Sequence, residues 1–226
     1  MLYKVHLIDS FRPKTVNLRI MAINKYATFL GKKRLRLKLI KEQQKSYLEN
    51  VISNADYTFL KNKLREDLLW DWYFVVRFLA ATGARVSELV QLKAEHVHTG
   101  FYDIYSKGGK SRRLYIPKSL RDEATAWLTD KGISSGFLFV NCKGQRLSTR
   151  RIAQRLKSLA SHYGINPKVV YPHSFRHRFA KNFLSAFNDL ALLADLMGHE
   201  SIETTRIYLR KTATEQQEIV DTVIDW

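Results

Sequence analysis

One cysteine, Cys142, stands among 226 residues, so no intrachain disulfide can form and no cysteine-rich zinc site is available. It reads as a small core residue or an inert thiol. Acidic side chains are scarce, 21 against 38 lysines and arginines, which leaves a net charge of +17 at pH 7. An excess of that size implies a polyanionic partner, either nucleic acid or an anionic membrane surface. Long apolar runs are missing as well. The longest, Trp72–Ala81, is interrupted by Arg77 and is too short to cross a bilayer. The first ten residues lack the apolar core of a secretory signal. These absences predict a soluble protein of the cytoplasm with no membrane partner, and there nucleic acid is the commoner polyanion. Nucleotide-binding glycine loops are absent too.

Enough apolar material is present to fold. Hydrophobic residues make up 45% of the chain and aromatics 12%, which excludes wholesale disorder. The length suffices for a substantial core without disulfide or metal staples. Charge is unevenly spread. Residues 1–46 carry twelve lysines and arginines against two acids, whereas 211–226 carry one lysine against four acids.

Periodicity predicts a mainly α protein with a small antiparallel β-sheet, an α+β fold. Val16, Ile20, Ile23, Ala27 and Leu30 form one apolar stripe, so a helix is expected over about 13–30, with Pro13 in its first turn and Gly31 at its end. Residues 34–39 alternate strictly between cation and leucine. They read as an extended connector, either a solvated edge strand or a linker that tracks phosphates through Arg34, Arg36 and Lys38. Helices are expected near 54–65, 67–82 and 86–92. Strands over 101–106 and 112–117 flank Lys107-Gly108-Gly109-Lys110, a hairpin signal, and Phe137–Val140 is a third strand candidate. Further helices are expected near 118–130, 148–163, 174–187, 189–197, 202–210 and 213–224.

Four segments carry candidate chemistry. In Thr82-Gly83-Ala84-Arg85-Val86-Ser87-Glu88-Leu89 one helix ends at Gly83 and another starts at once. Arg85 therefore sits at a helix N-terminus, where backbone N–H groups and a guanidinium can both face a phosphate, although alone it reads more readily as a surface charge. In Ser106-Lys107-Gly108-Gly109-Lys110-Ser111-Arg112-Arg113 glycines permit close backbone approach, and a lysine can touch phosphate or donate a proton; a solvated basic turn is the plain alternative. Pro172-His173-Ser174-Phe175-Arg176-His177-Arg178 places His173 and Arg176 three apart on one helix face, with His177 read as structural. The last segment, Leu196-Met197-Gly198-His199, is followed by Ile207-Tyr208.

In this order the five motifs resemble the tyrosine recombinase family of phage integrases and Xer-type and Cre-like enzymes. The resemblance runs over roughly residues 50–210. It implies Tyr208 as the nucleophile, Arg85 and Arg176 as the phosphate clamp, His173 as general acid/base, and His199 as a phosphate or nucleophile contact. It puts the leaving-group acid at Lys107, with Lys110 as the rival. Expected DNA contacts are Lys110, Arg112, Arg178, Arg34, Arg36 and Lys38. The chemistry is coherent. Attack by a side chain stores the phosphodiester energy in a phosphotyrosine bond, so no cofactor is required. Fixed cations stabilise the charge on the non-bridging oxygens, and no carboxylate cluster stands on these segments to hold a metal.

The resemblance further implies double-stranded DNA with a specific recombination site as partner, a homo-tetramer on that DNA, room for an accessory DNA-bending protein, and a bacterial or phage-type, nucleoid-associated location. The expected division is a partial DNA-clamp segment and basic linker over 1–46, a catalytic domain over 47–211, and a C-terminal helix over 212–226 exchanged between protomers or docked on its own domain. Family members carry a full helical clamp, and here only one helix is read before the catalytic segment. Two other functions fit the same residues: type IB topoisomerase-like cutting and resealing without synapsis, and a DNA-binding regulator with a decayed site.

Overall fold

The computed structural model describes residues 2–41, 50–105, 111–199, 201–209 and 213–223. The chain divides into two units, Met1–Ser46 and Tyr47–Trp226. Among the described residues no helix is long and apolar enough to cross a membrane.

In the first unit, α1 (Leu2–Ser10) precedes α2 (Pro13–Phe29), and Pro13 occupies the first turn of α2, where its missing N–H costs nothing. Leu7 of α1 meets Val16 and Ile20 of α2 in a small core, closed by Phe11, Leu37 and Ile40. Of the two forms open to the connector, the edge strand is not formed. Lys33–Leu35 form a short 3-10 turn, and the chain then runs to Ile40 with no strand partner among the described residues. Two asparagines of α2 take the partner's place. Asn24 donates from Nδ2 to the Leu37 carbonyl at 2.9 Å and accepts from its N–H at 2.8 Å. Asn17 does the same for Ile40 at 3.0 and 2.9 Å. Each amide thus offers the backbone the donor and acceptor that a neighbouring strand would. Leu35 and Leu39 stay exposed, and so do Arg34, Arg36 and Lys38.

The second unit is built around one helix. α3 (Asn54–Glu66) starts at Ser53, whose Oγ accepts from the Asp56 N–H at 2.9 Å. α4 (Trp70–Thr82) buries Tyr73, Phe74, Val75, Val76, Phe78, Leu79 and Ala80, so nearly its whole circumference is covered. Truncating Phe78, which is fully buried, would cost about 3–5 kcal/mol. After α5 (Val86–Leu89) and α6 (Ala94–Thr99) come β1 (Phe101–Tyr105) and β2 (Ser111–Tyr115). These pair antiparallel, with Phe101 opposite Tyr115 and Tyr105 opposite Ser111. Ile104 and Leu114 face the core, while Arg113 and Asp103 pair across the outer face at 2.8 Å.

Phe137–Val140 forms no strand. Its ends make single bridges, Phe137 to Lys93 and Val140 to Arg146. The Asn141 side chain accepts from the N–H groups of Lys143 and Gln145 at 2.9 and 3.0 Å, so the chain turns back before a ladder can extend. Cys142, in this turn, is exposed and free rather than part of the core. α7 (Lys118–Asp130) and α8 (Thr149–His162) follow, then α9 (Pro172–Ala186), which packs on α4. Ser174 of α9 is buried and accepts the Ile52 N–H at 2.7 Å. α10 (Leu190–Met197), α11 (Ile202–Arg206) and a 3-10 turn over Ile207–Leu209 close a second, smaller core with α9 around Ala180, Leu193 and Met197. α12 (Ala213–Val223) leaves Ile219, Val220 and Val223 exposed. Its Glu215 pairs with Lys181 of α9.

Candidate active site

Two helix ends build the site. α4 stops at Gly83 and α10 at Gly198, both left-handed with φ +62. Neither glycine tolerates a side chain. A Cβ at Gly83 would stand 2.5 Å from Cδ1 of Phe179, and one at Gly198 would stand 2.2 Å from Cδ of Arg112. Both carbonyls point into the site and are used by arginines.

Arg85 caps α5. Its N–H donates to Glu88 Oε2 at 2.7 Å, its Nη1 to Glu88 Oε1 at 2.9 Å, and its Nη2 to the Gly198 carbonyl at 2.9 Å. The side chain remains 40% exposed, which leaves the guanidinium within reach of an incoming anion. Arg176, on α9, is 1% exposed. Its Nη1 donates to the Gly83 carbonyl at 2.5 Å and its Nη2 to the Met197 carbonyl at 2.6 Å. Burial, and after it the nearby Arg85 charge, pushes its pKa down to about 10, still cationic at neutral pH.

His199 closes the clamp. Its Nε2 lies 3.1 Å from Nη2 of Arg176, and its Nδ1 lies 2.7 Å from Thr205 Oγ1. Because arginine only donates, Nε2 is the acceptor and the proton sits on Nδ1. Burial, followed by the charges of Arg176, Arg85 and Arg112, pushes this imidazole down to about 4. Tyr208 lies behind it, 4% exposed, with its ring 6.1 Å from that of His199 and nearly parallel. Burial raises the phenol's pKa, while the Arg176 charge, a hydrogen bond from Arg176 and the Arg85 charge pull it down; burial prevails. His173 keeps an open face at the start of α9. Its packed side, then Arg176 and Arg85, hold it below the ordinary histidine value.

The fold therefore gathers Arg85, His173, Arg176, His199 and Tyr208 from four separate segments. Lys107 and Lys110 lie outside the described residues. The remaining expected DNA contacts are placed differently. Arg34, Arg36 and Lys38 belong to the first unit and are exposed. Arg178 lies over the Tyr57 ring at 3.9 Å, half-buried. Arg112 faces inward, its side chain 9% exposed and its Nη2 2.5 Å from Glu88 Oε2, because the strand's alternation turns it away from solvent.

Sequence reasoning gave no role to Glu88, although it stands three residues after a helix cap, the spacing at which a carboxylate reaches back to the cap N–H. It is 8% exposed and holds both Arg85 and Arg112. Thr205, Lys157 and Lys168 were also missed. The two lysines line a cleft of about 710 Å³ together with Arg85, Tyr171 and His173. A second cleft, of about 1090 Å³, opens over Arg85, Glu88, Arg112 and His199. His177 stands with its ring 4.7 Å from that of His173 and 5.3 Å from that of Tyr208. Among the described residues no three His, Cys, Asp or Glu side chains group to hold a metal.

Such an arrangement can grip a tetrahedral anion between fixed cations and present a phenol beside it, the requirement of phosphoryl transfer to tyrosine. The Phage integrase family matches residues 30–215. Tyrosine recombinase XerA of Pyrococcus furiosus is 34% identical over 219 residues, covering 92% of this chain and 73% of the relative. Tyrosine recombinase XerD of Listeria monocytogenes serotype 4b is 34% identical over 181 residues, covering 76% of this chain and 58% of the relative. The chain thus belongs to the phage integrase family. In fold it is similar to a crystal structure of XerA recombinase, with TM-score 0.65, 24% identity, and 99% of this chain and 81% of that one covered. It is also similar to XerH site-specific recombinase bound to palindromic difH substrate, with TM-score 0.71, 21% identity, and 96% and 66% covered.

Proposed function

We propose that this protein is a tyrosine-type site-specific DNA recombinase. The observation that carries the reading is the contact of Arg176 with His199, whose ring lies nearly parallel to that of Tyr208, with Arg85 held over the same space by Glu88 and Gly198. In the proposed reaction the Tyr208 oxygen attacks phosphorus, a 3′-phosphotyrosyl bond forms, and the bond to the 5′ oxygen breaks. That oxygen leaves with a proton from Lys107, with Lys110 the alternative donor. A 5′ hydroxyl from the exchanging strand later attacks the same phosphorus and releases Tyr208.

The side chains divide this work by their chemistry. Arg85 and Arg176 neutralise charge on the non-bridging oxygens. His199 has its lone pair occupied by Arg176, so it orients the clamp and the phenol. His173 is neutral and open to solvent, which suits it to take the phenol proton. Tyr208 is covered and protonated before DNA binds, so an approaching phosphate must draw the phenol out of its pocket.

The partner is double-stranded DNA, in keeping with the net charge of +17 and with relatives named as tyrosine recombinases. Segment 1–46 would act as part of a DNA clamp, 47–211 as the catalytic domain, and the exposed apolar side of α12 as the element passed between protomers in a tetramer. An accessory DNA-bending protein and a cytoplasmic, nucleoid-associated location complete the reading. The test is a plasmid carrying two copies of a candidate site cloned from the DNA that flanks the gene. Recombined products support the proposal. Relaxed topoisomers alone would instead indicate topoisomerase-like chemistry, and binding without cleavage a regulator.

A further inference from the structure

Arg112, an expected DNA contact, has a side chain only 9% exposed. Its guanidinium is turned inward and divided between two acceptors on different segments. Nη2 donates to Glu88 Oε2 at 2.5 Å, and Nη1 donates to the Leu196 carbonyl at 2.5 Å. Arg85 repeats the pattern, with Nη1 on Glu88 Oε1 and Nη2 on the Gly198 carbonyl, each at 2.9 Å. Both arginines therefore hold the same carboxylate at one end and the same three-residue turn at the other. The result is a closed ring that joins α5, the hairpin strand β2 and the turn that presents His199. The stem of Arg112 lies against Gly198, where any side chain would collide with its Cδ. Of the two guanidiniums, only that of Arg85 remains open enough to meet a phosphate; Arg112 is 9% exposed against 40%.

We propose that Arg112 is a positioning residue of the phosphate clamp, fixing Arg85 through Glu88 and the Gly198–His199 turn through Leu196. This rests on the recombinase reading above. Without Arg112 the Glu88 carboxylate faces Arg85 alone and the Leu196 carbonyl loses its donor, so both partners of the scissile phosphate are free to shift. Lysine is a poor substitute, because a single ammonium cannot fork toward acceptors in two directions.

The experiment compares the full chain with its Arg112→Met and Arg85→Ala variants on two substrates. One carries an ordinary scissile phosphodiester. The other carries a neutral methylphosphonate at that position, which removes the charge the clamp exists to neutralise. Loss of one fixed donor at a developing oxyanion slows chemistry by roughly 10²–10³-fold. Arg112→Met should fall in that range on the phosphodiester at saturating protein, with DNA affinity and its salt slope unchanged. On the methylphosphonate most of the deficit should disappear, as it should for Arg85→Ala. An equal deficit on both substrates, with Arg85→Ala relieved, makes Arg112 a fold-supporting residue and overturns the proposal. So does a saturated rate like wild type with a salt slope reduced by about one, the mark of a phosphate contact. If Arg85→Ala itself gains nothing from the methylphosphonate, the clamp reading fails first and the proposal with it. Should Arg112→Met melt below the assay temperature, Arg112→Lys carries the same comparison, with a smaller loss and the same relief.

Discussion

Glu88→Gln removes one negative charge from a place where two guanidiniums converge. Its side chain is 10% exposed, that of Arg112 is 9% and that of Arg85 is 40%. Only the Arg112 pair is shielded on both sides; the Arg85 pair is partly screened by solvent and adds little. Removing one partner of a buried pair costs about 3–5 kcal/mol, because the other charge is left without compensation. Glutamine still offers an oxygen acceptor, so the lower end applies, about 3 kcal/mol. For a unit the size of Tyr47–Trp226, each kcal/mol moves Tm by about 2–4 °C, and the variant should melt about 6–12 °C lower at pH 7. Acid supplies an independent check. Burial alone would raise the Glu88 carboxyl, but the Arg112 charge and hydrogen bonds from Arg85 and Arg112 outweigh it and hold the pKa below the ordinary value. A depressed folded pKa gives stability that is present above the unfolded value, about 4.3, and lost as pH falls through the folded one. Thermal melts followed by circular dichroism between pH 7 and pH 3 should therefore converge for the two proteins at the acid end. An unchanged Tm at pH 7, or a gap that persists undiminished to pH 3, refutes the assignment of Glu88 as the charge that holds both arginines.

Cleavage should survive a chelator, because the developing charge is met by Arg85 and Arg176; loss of cleavage in EDTA restored by added magnesium contradicts this. His199 should titrate near 4 by NMR, and cleavage should show no inflection from it between pH 6 and 8. A depressed imidazole contributes stability that is full above the unfolded value, about 6.5, and lost as pH falls toward the folded one, so a measured pKa at or above 6.5 removes the Arg176 contact from the account. Gly83→Ala sets a left-handed penalty of about 1–2 kcal/mol on top of about 1–3 kcal/mol of overpacking against Phe179, and should lower Tm and slow cleavage together, since the Gly83 carbonyl holds Arg176. A melt and a cleavage rate equal to wild type would count against that packing.

The local setting of several candidate residues was legible because it obeys local rules, while the roles of Arg85, His199 and Tyr208 came only from the resemblance. Gly83 had to end a helix, and His173 and Arg176 share a helix face at a spacing of three, although that helix begins at Pro172, two residues before the expected start. The mainly α fold with a small sheet was equally readable from period-3.6 and period-2 stripes, and α4 from its length of continuous apolar sequence. Other features are settled only in three dimensions. α1 carries exposed Leu2, Val5 and Ile8 as well as buried Leu7, so it shows no one-sided stripe. α6, at six residues, is too short to display a period. The leucines at 35, 37 and 39 imitate a strand, yet the segment is held by Asn17 and Asn24, polar residues whose sequence position says nothing about their partners. Arg112 followed the same pattern. A cation beside a basic hairpin suggests DNA, and only the pleat and the location of Glu88 turn it inward.

Covalent capture on DNA tests the central claim most directly. The full chain is incubated with a DNA duplex nicked next to the cleavage position, so that the freed fragment diffuses away and religation is blocked. Wild type should accumulate a protease-sensitive protein–DNA adduct that maps to Tyr208 by mass spectrometry. Tyr208→Phe should bind the same DNA with nearly unchanged affinity and form none. An adduct that persists in Tyr208→Phe, or strand cleavage by wild type that leaves no protein on the DNA, would contradict the account.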